Sequence, residues 1–269
     1  MSNISFTYFG RIIDMETISR TLLDAGNAWI GLGIFSIYAY IMYTLFYGMI
    51  GVFPLMISLM IYLATIYTTT RLSDITGDIL FNRGSILLAI GAIILLAYMP
   101  VGMFLIFLYG LILPVGLMPF NIIEEVHRII FGSVKLVFFA SSFGLFFNFI
   151  GYALLLVAFY KLSSENKEQY LLIGVITLLI IGILGSFFIG LGLRNLGNRI
   201  IRYASDESLE NEVKIAVIKA YEEGKNLNLM ELSKRKKVSY LFVKTIVHRM
   251  ISKEEVKGKI DKQVFKPAR

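Results

Sequence analysis

The stretch 136–160, LVFFASSFGLFFNFIGYALLLVAFY, decides the fold class, because none of its 25 residues is charged. It lies between Lys135 and Lys161. A helix needs about 20 apolar residues to cross ~30 Å of hydrocarbon at a rise of ~1.5 Å per residue. The stretch therefore predicts a membrane-spanning helix.

Three more charge-free runs, 25–70, 84–123 and 169–193, extend this pattern along the chain. The last fits one span, and each of the first two is long enough for a pair. Gly and Pro near the middle of the long runs, at 48–51 and 99–102, favour breaks there. Five spans are the alternative, with one long tilted helix or a re-entrant pair over 84–123. The predicted transmembrane domain, 25–193, has spans near 27–47, 51–69, 85–99, 101–118, 136–160 and 170–193.

The composition supports an all-α polytopic membrane protein. Of 269 residues, 57% are hydrophobic and 17% charged, and the mean hydropathy is +0.72. A soluble domain has about 45–50% apolar and about 25% charged residues. The absence of cysteine and the presence of only two histidines argue against disulfides, thiolate metal sites and multi-histidine sites.

Basic residues near the predicted span ends set the orientation. Six spans place nine of them on one side and only Lys161 and Lys167 on the other. This bias predicts a multi-pass protein of the cell membrane with both termini in the cytoplasm. Segment 1–24 is expected to be an amphipathic or irregular cytoplasmic lead-in. The nine are Arg11, Arg20, Arg71, Arg83, Arg128, Lys135, Arg194, Arg199 and Arg202.

The last 76 residues differ from the rest in charge. Residues 194–269 contain 18 basic and 10 acidic residues, whereas residues 1–193 contain 8 and 9. We therefore predict a linker over 194–205 and a cytoplasmic domain over 206–269. Within that domain, 225–269 carries net charge +9.

Capping residues and helical periodicity place the elements of this domain. They predict a helix from Ser205 to Gly224, a helix over 229–236 begun by Asn228, a helix from Ser239 to about Lys253, and a hairpin of 256–260 and 263–266. Three helices followed by a hairpin resemble a winged helix-turn-helix domain over 206–266, with 250–261 as the strongest local match. The resemblance implies that the third helix is a recognition helix and the hairpin a wing.

Helical periodicity gives the third helix an exposed arc opposite its apolar core face. With the basic turn before this helix and the wing after it, the arc predicts a surface for nucleic acid or for a protein partner. Tyr240 and Leu241, which are apolar, favour the protein; anionic lipid and a merely solvated surface are the other interpretations. The candidate residues are Lys234, Arg235, Lys236, Lys237, Tyr240, Leu241, Lys244, Thr245, His248, Arg249, Lys257, Lys259 and Lys262.

No catalytic or metal constellation accompanies these features, so we predict neither enzyme activity nor a cofactor. Glu124-x-x-His127 lacks the second copy that a di-iron site needs, and it predicts a charged loop at a helix end. No predicted span contains an ionisable residue of the kind that marks transport paths. Small residues spaced four apart favour close helix packing instead. They are Ala140, Gly144 and Asn148, and Gly182, Ser186 and Gly190.

The membrane part resembles an uncharacterised archaeal family, the domain of unknown function 996, over about 20–160. The similar pieces are 24–26, 71–78 and 149–160. The resemblance implies a multi-pass membrane protein and assigns no activity. We therefore expect a membrane-tethered nucleic-acid-binding or regulatory protein. A membrane scaffold that recruits a protein through the winged helix and a transporter of small solutes or lipids are the alternatives.

Overall fold

The computed structural model describes residues 14–45, 52–112, 120–261 and 263–268, and it is mainly helical over them. Its helices are α1 (Met15–Leu45), α2 (Val52–Thr76), α3 (Ile79–Ile112), α4 (Phe120–Asn166), α5 (Gln169–Ile180), α6 (Gly182–Ala204), α7 (Glu207–Glu222), α8 (Leu229–Lys236) and α9 (Tyr240–Ser252). Its strands are β1 (Leu227–Asn228), β2 (Gly258–Asp261) and β3 (Val264–Pro267). The chain divides into two compact units, Met1–Asn82 with Leu156–Arg269, and Arg83–Leu155.

Two helical segments among the described residues are long and apolar enough to cross a membrane. They are Ile79–Tyr98 and Lys135–Asn166. Both expose large apolar side chains, such as Ile93 and Phe149, which would be unfavourable in water. Length and composition thus support membrane association.

The predicted break between spans 85–99 and 101–118 is wrong, because α3 runs without interruption from Ile79 to Ile112. Proline removes a single backbone donor, and apolar helices in lipid tolerate it through local adjustment. Pro100 therefore does not end this helix. Residues 113–118 of the predicted fourth span, and the whole of the 48–51 break, lie outside the described residues.

The predicted span 170–193 is also wrong, because the chain turns back at Ile181. The two helices on either side, α5 and the first half of α6, are antiparallel. A Cβ on Gly174 would lie 2.6 Å from the backbone N of Ile189, and one on Gly192 would lie 2.6 Å from that of Leu171. Since α5 has 12 residues, it extends only ~18 Å at ~1.5 Å per residue, too short for ~30 Å of hydrocarbon.

Other helices extend beyond their charge-free runs. Helix α1 begins at Met15 and so includes part of the predicted lead-in, and α4 begins at Phe120 and includes the 124–128 segment predicted as a loop. Helix α6 continues to Ala204, so the predicted linker is helical. A lack of charge marks the apolar part of a helix, but the backbone hydrogen-bond pattern continues past it.

Glycines bring α1 and α6 close together. A Cβ on Gly190 would lie 2.5 Å from the carbonyl oxygen of Gly26, and Ser19 Oγ donates to the carbonyl of Gly197 at 3.0 Å. Helix α2 packs against α1, where Trp29 Nε1 of α1 donates to Thr69 Oγ1 of α2 at 3.0 Å. Gly190 therefore lies in the contact between α1 and α6.

Within the second unit, α3 and α4 pack through small residues in the same way. A Cβ on Gly91 would lie 2.7 Å from the carbonyl oxygen of Gly144 and 2.3 Å from Asn148 Nδ2. Gly144 and Asn148 thus lie in the contact between α3 and α4, whereas Ala140 is half-buried. In the other predicted ladder, Ser186 is buried and donates to its own helix, and a Cβ added to Gly182 would meet no atom within 4 Å.

The C-terminal region, 206–268, follows the predicted element order with one added strand. Strands β1, β3 and β2 form an antiparallel sheet in that order, with Ile260 opposite Phe265. The Asn228 side chain caps α8 and Ser239 caps α9, as predicted. Asp206, rather than the predicted Ser205, caps α7. The core of the C-terminal region comprises Val213, Val217, Phe242, Ile246, Met250 and Phe265.

Candidate functional site: the covered face of helix α9

The arc of α9 that periodicity predicts to be exposed is largely buried. Leu241 is 2% exposed and Thr245 7%, and Tyr240, which lies beside the arc, is 4% exposed. Lys244 and His248 on the same arc are partly buried. The prediction of an open arc is therefore wrong, because the C-terminal ends of α2 and α4 lie against it.

Three hydrogen bonds hold the C-terminal region against the ends of α2 and α4. The backbone N–H of Leu241 donates to Asn166 Oδ1 at 3.0 Å, and Lys244 Nζ donates to the carbonyl of Thr76 at 2.5 Å. Gln263, beside the hairpin turn, donates through Nε2 to Glu165 Oε1 at 3.2 Å. The first turn of α9, its middle and the hairpin are thus all docked.

Asn166 is a fixed acceptor for α9, because its other polar groups are engaged. Its side-chain Nδ2 donates to the carbonyl of Leu162 at 2.9 Å, and its own carbonyl accepts from Arg199 at 3.0 Å. Arg199 also forms an ion pair of 2.9 Å with the buried carboxylate of Glu168. This network ties the end of α4, the start of α5 and α6 together beneath α9.

The interface contains titratable side chains that are shielded from solvent. Burial lowers the pKa of Lys244, and the carboxylates of Asp78 and Glu165 partly offset that effect. Burial, followed by the nearby Lys244 charge, lowers the pKa of His248 to about 4. Lys244 also meets the last carbonyl of α2, where the negative end of the helix dipole favours a cation. The docked face therefore combines a buried lysine, held by the last carbonyl of α2, with an imidazole that burial keeps neutral near pH 7.

The remaining predicted basic residues separate into two groups. Arg249 pairs with Glu210 at 2.8 Å and Lys236 with Glu212 at 2.6 Å, so α7 neutralises part of the basic face. Burial raises the pKa of Glu210, but the hydrogen bonds from Lys214 and Arg249 outweigh it, so the pKa is lowered overall. The other group, Lys234, Arg235, Lys237, Lys257 and Lys259, is exposed. Lys262 lies outside the described residues.

The acceptors on the membrane part were not predicted. These acceptors, Thr76, Glu165 and Asn166, lie at the ends of apolar helices. Polar residues are common at such helix ends, so their presence alone does not indicate a contact. A sequence signal exists in the cluster 163–166, Ser-Ser-Glu-Asn, but nothing in it indicates a partner 75 residues away. Among the described residues, no group of three or more His, Cys, Asp or Glu is arranged to hold a metal ion.

No protein-family model matches the chain, and no curated protein or solved structure is significantly similar to it. The geometry of the site alone therefore supports the proposals below.

Proposed function

We propose that this chain is a membrane-anchored regulatory protein that binds nucleic acid through α9 when α9 is released from the membrane part. Helices α1 to α4 span the membrane, and α5 with the first half of α6 forms a re-entrant hairpin. The C-terminal region is a cytoplasmic winged-helix domain. In the docked state the membrane part covers its recognition face.

The topology of four spans with a hairpin is supported by where the polar turns lie in the first unit. The start of α1 contacts α6 through Ser19 and Gly197, and the end of α4 contacts α6 through Asn166 and Arg199. These ends and the C-terminal region therefore share one side. Nine basic residues then lie on that side, with Lys161 and Lys167 now among them. The other two, Arg128 and Lys135, lie on the opposite side. The positive-inside bias is as strong as for six spans.

The winged-helix assignment is supported by the order helix, strand, helix, helix, strand, strand and by the sheet order β1-β3-β2. In a helix-turn-helix protein the second helix of the motif enters the major groove, with its N-terminal residues at the base edges. Helix α9 holds that position in the motif, after α8 and the turn at 237–239.

The docking of α9 carries the regulatory proposal. The groove of a nucleic acid and the ends of α2 and α4 would contact the same face of α9. Helix α9 therefore cannot bind both at once. In the docked state the backbone N–H of Leu241, in the first turn of α9, already donates to Asn166. Lys244 donates to Thr76 rather than to a phosphate. Binding of nucleic acid thus requires release of the domain.

The experiment measures binding of fluorescent duplex DNA to the detergent-solubilised full chain by anisotropy. The double variant Glu165→Ala with Asn166→Ala weakens docking from the membrane side and leaves the domain's own sequence intact. We expect tighter, salt-sensitive binding by the variant, because phosphate contacts release counterions. Ser164→Ala, in the same turn and exposed, is the matched control.

Equal affinity of the wild type, the double variant and the control would contradict the proposal. So would enhanced binding that survives Lys244→Glu in the released variant, because Lys244 then would not face the DNA. Absence of DNA binding with selective capture of a protein by the double variant would favour the scaffold alternative. The covered Tyr240 and Leu241 would then be its contact residues.

A further inference from the structure

Three exposed lysines lie close in sequence to the residues that dock α9. Lys167 follows Asn166 directly, Lys237 precedes Leu241 by four residues, and Lys259 lies in β2, two residues before its end. Asn166 bonds to Leu241, and Gln263, beside the end of β2, bonds to Glu165. Each lysine is therefore only a few residues from a contact at the end of α4. We call Lys167, Lys237 and Lys259 the rim lysines.

The position of the rim lysines relative to the bilayer follows from α4. The charge-free part of this helix ends at Tyr160, and Glu165 lies five residues beyond it, or about 8 Å at the helical rise. The polar headgroup layer on each side of a bilayer is about 5–8 Å thick. Contacts to Glu165 and Asn166 therefore hold the domain at the level of the headgroups. The rim lysines then fall within about one Debye length, ~8–10 Å, of the lipid surface.

We infer that the rim lysines bind anionic lipid headgroups and that the docked domain rests on the cytoplasmic leaflet through them. This inference rests on the membrane placement in the proposed function. Charge favours lipid as the occupant. Two of the nearby carboxylates are paired with cations, Asp78 with Lys161 at 2.9 Å and Glu168 with Arg199. Glu165 bonds to the neutral Gln263 and keeps its charge. The three rim lysines outnumber this carboxylate, so the rim has a net positive charge.

The test is amine acetylation of the unmodified full chain, followed by mass spectrometry of each lysine. The chain is reconstituted in vesicles of phosphatidylcholine alone and in vesicles that also contain phosphatidylglycerol. Lys219 and Lys225, exposed on α7 and in the turn after it, serve as internal controls. We expect phosphatidylglycerol to slow acetylation of the rim lysines about fivefold each, which corresponds to the attraction of one lysine to an anionic surface. High salt should abolish the difference.

Equal acetylation rates in the two vesicle types would overturn the inference, and so would equal slowing of Lys219 and Lys225. Duplex DNA added to phosphatidylcholine vesicles is a further arm. If DNA protects the rim lysines and phosphatidylglycerol does not, the rim binds nucleic acid and the lipid assignment is wrong. A chain that fails to float with either vesicle type would overturn the membrane placement as well. A chain that floats without selective protection overturns this inference alone.

Discussion

The side chain of Asn166 caps the first turn of α9 by accepting the backbone N–H of Leu241 at 3.0 Å. The first turn of any helix contains N–H groups without partners inside the helix. Ser239 satisfies the N–H of Phe242, and Asn166 satisfies the one before it. Helix α9 is therefore capped from two segments of the chain. One of them, Asn166, ends the apolar helix α4, so docking and local helix stability are coupled.

Asn166→Ala should loosen the docked domain. The substitution leaves the buried N–H of Leu241 without an acceptor, which costs about 1–3 kcal/mol. The carbonyl of residue 166, which accepts from Arg199, is retained. Hydrogen exchange of the α9 amides in the full chain should accelerate about tenfold or more, since about 1.4 kcal/mol corresponds to tenfold.

Ser164→Ala is the control for this experiment, because Ser164 is exposed on the same turn of α4. It should leave exchange of the α9 amides unchanged. If Asn166→Ala gave the same exchange as Ser164→Ala, the hydrogen bond would not contribute to docking.

Acidification should weaken docking through His248. Its pKa is about 4 in the docked state, mainly because of burial and then because of the Lys244 charge, against about 6.5 when exposed. The undocked state therefore binds a proton first. Stability is fully present above about pH 6.5 and declines as the pH falls towards about 4, by at most ~3 kcal/mol. Asp78, Glu165 and Lys161, which face Lys244, belong to the same electrostatic environment.

His248→Gln isolates this contribution, because glutamine stays neutral over the whole range. We expect the thermal midpoint of the wild type to fall between about pH 6.5 and pH 4.5 and that of the variant to stay flatter. An identical slope for both chains would assign the pH dependence to other groups.

The C-terminal helices were predicted almost to the residue because their signals are local. Asn228 and Ser239 cap the helices that they precede, and the predicted bounds of α8 match the observed ones. The exposed arc of α9 was not predictable in the same way. Periodicity identifies one face of a helix as core, but it does not reveal whether distant residues cover the other face. Thr76 lies 168 residues from Lys244, its partner.

The α5–α6 hairpin shows a similar limit of hydropathy. A charge-free run of 25 residues is as long as one span and also as long as two antiparallel halves. The difference lies in Gly174, Gly185 and Gly192, which allow the two backbones to approach each other. Charge counting did not distinguish the two topologies, because each places nine basic residues on one side.

Two glycines of the same predicted ladder should respond differently to alanine. A Cβ on Gly190 would lie 2.5 Å from the carbonyl oxygen of Gly26 and 2.6 Å from Ile30 Cγ1, so Gly190→Ala must separate α1 from α6. We expect a loss of about 1–3 kcal/mol. Gly182→Ala meets no atom within 4 Å and should be neutral or slightly stabilising, because alanine favours helix. Thermal unfolding in detergent measures both, and equal shifts would refute the close α1–α6 packing.

The hairpin topology itself makes the most decisive prediction. The chain has no cysteine, so single cysteines can be introduced at exposed positions without background. We choose Ser164→Cys before α5, Ser205→Cys after α6 and Gly132→Cys in α4 before the apolar segment Lys135–Asn166. A membrane-impermeant maleimide is added to intact cells. Four spans with a hairpin place Ser164 and Ser205 together in the cytoplasm, protected from the reagent, and Gly132 outside.

Six spans would give the opposite result at two of these positions, with Ser164→Cys labelled and Gly132→Cys protected. Ser205→Cys is protected in both topologies, so it reports whether the cells stayed intact. Permeabilised cells should label Ser164→Cys and Ser205→Cys alike, because both side chains are exposed. Labelling of Ser164→Cys in intact cells while Ser205→Cys stays protected would refute the hairpin. It would also place Asn166 across the bilayer from α9, where the hydrogen bond to Leu241 could not form.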